Sequence, residues 1–549
     1  MNKTILKNTI MLILFLIISC ILSVVYFKGP DFDFYSYHYH NGWAFLHNRI
    51  NTDFLPCIFR SYFNPVLDSF MYLTLKVLNY NPLAFILVSG LKYGFFMFFA
   101  YKICEVIFFK EEEKFQFSTV FCLIFAGLSP VLLNCITFDK TDIQVGVFIL
   151  IGLYLYLKYI FKSDFKNRFL ALFFSAFFIG FAVGLKYSCI SSAIGLLLAT
   201  ACIYKRTENP KRVFLALFSG MFCGFLITGA TWMILVYAKF QNPFFPYFNN
   251  IFHSSKADFD YVLFSDFYHM LPKTFTDIIF YPLKNTSVRP FITLETTYYD
   301  IKFALGFIFC ILAFLLPKFK IFKENFSELI DTNIFYFILY FTIFTYYINV
   351  VLFGNYRYIL VLFIFIPVII CLVSKILLKK PYYNCFLVII LILFFITKID
   401  VNHEKWFPRK SVFVVPNMQI EDNSVVLCGN VQACFFAPDQ TKNIKYIGFS
   451  LPKSLAPQSY WNISNNLVKN RIYENKYLEK LITETFKKDQ NVYFAYSLQG
   501  EEINDLNLYE EALYFYSKIK DIDLVNCEKI YYSIFDIEPN LNIRLCRIK

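Results

Sequence analysis

The forty residues from Gly29 to Asp68 read GPDFDFYSYHYHNGWAFLHNRINTDFLPCIFRSYFNPVLD. They gather Asp31, Asp33, His38, His40, His47, Arg49, Asp53, Arg60 and Asp68 in a chain otherwise dominated by Phe, Ile and Leu. A carboxylate in such company can take a proton from a hydroxyl, an imidazole can hold or orient it, and a guanidinium can clamp a phosphate. The plainer reading is a solvated connector beyond a membrane span. What favours chemistry is the sequence Asp, Asp, then three His within one short segment.

Other positions could join them. Asp139, Lys140 and Asp142 sit in a short turn, TFDKTD, and Lys186 in another, GLKYS; either turn could also be merely solvated. Lys186 is costly near a membrane without water or a partner, although snorkelling would relieve it. Arg357 lies between Tyr356 and Tyr358 at the start of an apolar run. It is the preferred phosphate ligand because a guanidinium binds bidentately. Glu295 and Asp300 could hold a divalent metal or touch a substrate, and are equally suited to a structural role. The three loop histidines fit hydrogen bonding better than metal ligation, so no metal and no cofactor is expected.

The elements that must position these groups follow from composition. Of 549 residues, 57% are hydrophobic and 21% aromatic, with 71 Phe, which is too apolar for a water-soluble globule. Apolar runs of roughly 18 or more residues recur over the first 400 positions, the length that crosses about 30 Å of hydrocarbon. The net charge of +12 lies mostly in short basic clusters between these runs, where the positive-inside rule accounts for it and nucleic-acid binding does not. Ten of the 15 cysteines fall inside apolar runs, and the remainder show no metal-ligand spacing.

Lys3 and Lys7 precede a first apolar run that is read as a retained span with a cytoplasmic N-terminus. Alternation then gives about eleven spans, a first outer loop at 28–80, a second at 241–302, and a tail from 401 onward on the outer face. Phe34 to Asn48 is expected as an amphipathic helix starting near Pro30 and Asp33, with Tyr35, Tyr37, Tyr39 and Trp43 at the lipid headgroups. Spans are expected at Asn81–Phe108, Phe115–Ile136 and Tyr358–Ile376, among others. The tail, 401–549, reads as a small α/β unit with strands at Ser424–Cys428, Ile444–Phe449, Val492–Ser497, Lys529–Asp536 and Asn542–Arg547. Helices are expected at about Asn465–Lys488 and Leu508–Ile519. If the tail faces an oxidising compartment, Cys428 with Cys434, or Cys527 with Cys546, could pair.

The retained first span, DFDFYSYHYHNGWAFLHNRI, the turns TFDKTD and GLKYS, the stretch NPFFPYFN and a late NYRYIL together resemble the GT-C superfamily of integral membrane glycosyltransferases. The likeness covers roughly residues 1–400 and lies in order and topology. It implies a bacterial inner-membrane enzyme that takes a sugar from a polyprenyl-phosphate donor and passes it to a glycan or lipid acceptor on the outer face. It also implies a loop aspartate as catalytic base, Asp33 first and Asp31 second. Arg357 and Lys186 would hold the donor phosphate, with His38, Asp139, Asp142 and Tyr358 lining the substrate site. A transporter or flippase of lipid-linked sugars is the rival from another class; it expects ionisable residues near mid-span and an internal repeat, whereas the charges here cluster at span ends. A glycan polymerase or ligase, the rival enzyme, would concentrate its basic residues in one large late outer loop.

Overall fold

An apolar run placed in hydrocarbon must satisfy its own backbone, and helix is the local way to do so. The computed structural model describes residues 3–26, 32–108, 117–136, 140–161, 167–207, 209–256, 270–286, 293–294, 298–316, 331–379, 381–397, 413–414, 420–440, 443–449, 476–488, 491–497, 506–517, 528–534 and 541–548. Among them, six helices are long and apolar enough to cross a membrane: Thr4–Val25, Pro82–Phe108, Asp142–Tyr159, Arg168–Leu185, Pro210–Phe240 and Thr332–Leu352. Shorter apolar helices run over Phe117–Gly127, Tyr187–Cys202, Lys302–Leu315, Leu362–Leu377 and Tyr382–Thr397. This is the make-up of a helical membrane protein.

Local sequence explains where these helices stop. The span expected over Phe115–Ile136 is broken after Gly127, and a separate short helix, Pro130–Asn134, follows. Pro130 forces Ser129 into an extended conformation (ψ 136°), which ends the first helix and opens the second. The span expected from Tyr358 begins instead at Leu362, because Tyr356–Ile359 forms a 3₁₀ turn capped by the side chain of Asn355.

The chain divides into two compact units. The first comprises Met1–Phe27, Ile86–Ala230 and Phe267–Glu404. The second comprises Lys28–Phe85, Thr231–Asp266 and Lys405–Lys549, so the first loop belongs with the tail in place of a single cut near residue 400.

In the first unit, the helices Arg168–Leu185 and Pro210–Phe225 pack closely, with glycine at the contact. A Cβ at Gly224 would sit 2.0 Å from the carbonyl oxygen of Phe177, so only glycine permits that approach.

The second unit is built on strands β1 (Pro56–Phe59), β2 (Phe413–Val414), β3 (Val425–Cys428), β4 (Lys445–Gly448), β5 (Val492–Ser497), β6 (Glu528–Ile534) and β7 (Leu541–Ile548). Six of them form one sheet in the order β2-β6-β7-β5-β3-β4. β3 pairs in parallel with β4 and β5, with Val426 opposite Tyr446 and Tyr493, while β7 runs antiparallel to β5 and β6. The unbroken apolar runs of β3 and β5 are buried throughout, as strands covered on both faces must be. Helices Lys476–Lys487 and Leu506–Ser517 belong to the same unit, and the expected start at Asn465 falls outside the described residues. Cys428 and Cys434 form a disulfide. Cys546 is also disulfide-bonded, while Cys527, its expected partner, lies outside the described residues.

The loop docks onto β4. Phe54 N–H donates to Tyr446 O (2.9 Å), Gly448 N–H donates to Phe54 O (2.7 Å), and Phe54 and Ile447 form a parallel bridge. Gly448 has no alternative here, since a Cβ would lie 2.1 Å from Leu55 O. Phe54, Leu55, Tyr62, Trp232, Phe240, Ile447 and Phe494 share one buried core.

Candidate functional site

Each unit holds one cluster of the residues singled out above. In the second unit, the helix expected from Asp33 onward begins earlier: Asp33 is already helical (φ −66°, ψ −36°), its side chain caps nothing, and Phe34–His38 forms a π-helical turn before the α-helix Tyr39–Leu46. One-turn π segments widen a helix and recur at functional sites. The uncapped carboxylate of Asp33 instead meets Arg60, with Nη1 to Oδ1 at 3.5 Å. The Arg60 side chain is 4% exposed and Asp33's is 22% exposed, so one partner is fixed and the other is reachable. Arg60 is held in turn by the rings of Phe32, Tyr37 and Phe59, which lie 5.4, 5.6 and 6.0 Å from its guanidinium carbon. Asp31 lies outside the described residues.

Three of the four aromatic residues expected to face lipid headgroups are covered by protein, and Tyr37 is half-buried. Tyr35, Tyr39 and Trp43 are buried, and Phe435 of the tail stands 5.4 Å from Tyr35 and 5.1 Å from Tyr39. Aromatic side chains suited to a membrane interface suit a protein core equally, and burial there contributes about 1.5–3 kcal/mol for a side chain of this size. Tyr39 O–H also donates to Asp439 (3.0 Å), and burial pushes the Asp439 carboxyl up to about 6.

The three loop histidines part company. His38 Nδ1 lies 2.6 Å from Asp68 Oδ1 in a buried pair, which fixes the ring's orientation. His47 Nδ1 bonds the backbone oxygen of Trp43 at 2.9 Å. Neither ring nitrogen of His40 has a hydrogen-bond partner among the described residues. Further along, Arg49 grips Asp53 with two bonds (2.9 and 2.6 Å), and Asp53 accepts the N–H of Tyr446 (3.0 Å), tying the loop to β4.

In the first unit the structure brings Asp142, Lys186, Arg357 and Tyr358 together. Asp142 opens the helix Asp142–Tyr159, Lys186 follows the helix Arg168–Leu185, and Arg357 sits in the 3₁₀ turn. Lys186 Nζ lies 2.5 Å from Asp142 Oδ1 and 3.3 Å from Thr141 Oγ1, and Arg357 Nε lies 3.1 Å from Asp142 Oδ2. Both cations pack on the ring of Tyr358, at 5.2 and 5.6 Å. Asp142 therefore orients two cations and is itself a poor partner for an anionic substrate, which revises its expected role. A quarter of the Lys186 side chain remains exposed, and its ammonium has three N–H donors. Asp139 lies outside the described residues.

The chain was compared with family models, curated proteins and solved structures. None matches. The two clusters therefore have to speak for themselves.

Several partners were not assigned from sequence. Arg60 and Asp68 stood in the loop without a role, and no local signal links Asp33 to a residue 27 positions on. Tyr356 was noted only as a flank. It is fully buried, bonds Tyr346 hydroxyl to hydroxyl at 2.5 Å and donates its backbone N–H to Thr293 O, so it anchors the turn that carries Arg357. Asp300 is structural: it accepts from Ser129 Oγ (2.9 Å) and pairs with Lys302 (3.4 Å), whose ammonium sits among Phe125, Phe363 and Phe394. Glu295 lies outside the described residues. Charges are not confined to span ends either. Lys92, well inside the helix Pro82–Phe108, is buried and donates to Lys140 O at 2.7 Å.

Proposed function

We propose that the chain is a GT-C-like membrane glycosyltransferase that moves a sugar from a polyprenyl-phosphate donor to a glycan or lipid acceptor. The observation that carries this reading is Asp33: a partly exposed carboxylate that faces a buried arginine. An aspartate is ordinarily ionised at neutral pH and can accept a proton from an acceptor hydroxyl as that oxygen attacks the anomeric carbon. The bond from that carbon to the phosphate oxygen breaks, and polyprenyl phosphate leaves. Arg357 and Lys186 would bind the phosphate, with Asp142 and Tyr358 holding both cations in place.

Within the first unit, an apolar slot of about 190 Å³ lined by Phe303, Phe307, Ile311, Ile343, Tyr346 and Ile366 suits a stretch of polyprenyl chain. Phe303 packs at a tilt against Tyr356, ring centres 4.1 Å apart, next in sequence to Arg357, so a lipid tail and its phosphate would find neighbouring partners. Six apolar helices are long enough to span; the proposed eleven spans, with a cytoplasmic N-terminus and an outer tail, would require the five shorter apolar helices to cross as well. The disulfide between Cys428 and Cys434 supports that outer, oxidising location, as in a bacterial inner membrane with a periplasmic domain.

The buried Lys92 is a feature that favours the rival reading, a transporter or flippase of lipid-linked sugars. Membranes from cells producing the wild type and Asp33→Asn separate the two. With a radiolabelled polyprenyl-phosphate sugar, the variant should lose transfer by at least about a hundredfold while inserting normally. Transfer within a few-fold of wild type would remove Asp33 as the base. Lipid-linked sugar crossing proteoliposomes without any product would favour the transporter.

A further inference from the structure

His40 is the loop residue that the transfer chemistry leaves unused. It is 2% exposed, and neither Nδ1 nor Nε2 has a hydrogen-bond partner among the described residues. Its neighbour Asn41, equally buried, gives its Nδ2 to Arg60 O (2.9 Å), and its Oδ1 has no hydrogen-bond partner among the described residues. Burying such groups unmet costs about 1–3 kcal/mol each, so a sequence keeps them there against a penalty. Both line a cavity of about 80 Å³ within the second unit, alongside Phe45, Tyr62 and Trp232. A single water needs roughly 10–15 Å³ on the same measure, so the space holds roughly five to eight waters or one face of a sugar ring.

The chemistry of the lining selects among ligands. Among the other polar groups of the lining, Arg49 is committed to Asp53 and to Ile444 O, and Trp232 Nε1 to Tyr62 O at 3.0 Å. Burial, with Arg49 nearby, outweighs the upward pull of the adjacent Asn41 side chain and holds the His40 imidazole neutral, lowering it to about 3. A neutral imidazole offers one N–H donor and one acceptor nitrogen, and Asn41 Oδ1 adds a second acceptor. Arg49 and Asp53 pair within the lining and the imidazole is neutral, so the cavity carries no net charge that would draw an ion of either sign. Hydroxyl groups donate and accept alike, and the C–H face of a sugar ring suits the rings of Phe45, Tyr62 and Trp232.

We infer that this cavity binds a neutral hydroxylated ring, one pyranose residue of a glycan, with His40 and Asn41 hydrogen-bonding its hydroxyls. Asn41 ties the cavity to Arg60 and so to the Asp33 pair. Under the transferase reading the bound ring belongs to the acceptor; the binding itself does not depend on that reading.

Saturation-transfer NMR on the purified full-length chain in detergent tests it, with methyl α-D-glucopyranoside, methyl α-D-galactopyranoside and methyl α-D-mannopyranoside as probes. At least one glycoside should bind at or below about 50 mM, the weak affinity expected of a single ring. His40→Leu should weaken it at least about tenfold, and Ala44→Phe, which fills the cavity from a half-buried position on its wall, should abolish it. If His40→Leu does not fold, Ala44→Phe carries the comparison. No binding by the wild type, or binding unchanged in the folded variants, overturns the inference. Asp33→Asn should leave binding intact, so its retention of transfer would remove the base assignment alone.

Discussion

Replacing Asp439 by Asn should stabilise the second unit, and only above a defined pH. Burial raises this carboxyl from its ordinary value of 3.8 to about 6, against a hydrogen bond from Tyr39 and the charge of Lys76, which both pull it down. A raised carboxyl means that the folded chain holds the proton more tightly than the unfolded one. Between about pH 4 and pH 6 the fold therefore loses stability as pH rises, and above pH 6 the cost is constant. About two units of displacement correspond to an upper bound of about 3 kcal/mol, and partial exposure of the residue reduces the expectation to about 1–3 kcal/mol. Asn keeps an oxygen that can accept from Tyr39 O–H, so the variant removes the charge and spares the bond.

Because a two-unit membrane chain does not unfold in one step, hydrogen exchange of the β3 and β5 amides is a better measure than a single melting temperature. Wild type and Asp439→Asn should exchange alike near pH 3.5, below the window, and diverge at pH 8, with the variant protected about fivefold to a hundredfold more. Equal protection at pH 8, or a variant less protected there than the wild type, would refute the argument that this carboxylate is buried at a cost.

Two further outcomes follow from packing and charge. Gly448→Ala places a methyl group on Leu55 O and should free the Phe54 bridge, costing about 1–3 kcal/mol; faster proteolytic cleavage near residues 50–60 would report it, and an unchanged rate would show that the loop is held elsewhere. Asp142→Asn removes the carboxylate shared by Lys186 and Arg357 and should speed hydrogen exchange of the helix Asp142–Tyr159 at least about tenfold. Adding Lys186→Met should recover part of that protection, and strict additivity of the two changes would contradict the shared contact.

What the sequence made legible divides along physical lines. Apolar runs announce spans because hydrocarbon thickness sets their length, and most expected spans have a helix at their place. The break at Pro130 was missed because the flanking residues are apolar and hide a backbone constraint. The strand positions of β3, β4, β5 and β7 could be read because β-branched and aromatic residues crowd there between polar turns. The docking of the loop on β4 could not, since backbone pairing between Phe54 and Tyr446 leaves no trace in side-chain chemistry. Asp142, Lys186, Arg357 and Tyr358 were each visible as polar groups at helix ends, and their convergence needed the packing of three helices. The burial of Tyr35, Tyr39 and Trp43 was misread for a simple reason: a ring gains the same contacts from lipid or from protein.

The pairing of Asp53 with Tyr446 spans 393 positions of sequence. At about 5–20 residues per second of synthesis, the loop emerges roughly 20–80 s before the strand it must join. Until then Phe54 can pack on Phe240 but its backbone lacks the strand it pairs with, and β4 arrives with its edge matched to that waiting segment. Biogenesis of this chain is thus a matter of timing: a helper that shields the loop, or a slow stretch before residue 445, would change yield without altering a single contact of the finished protein.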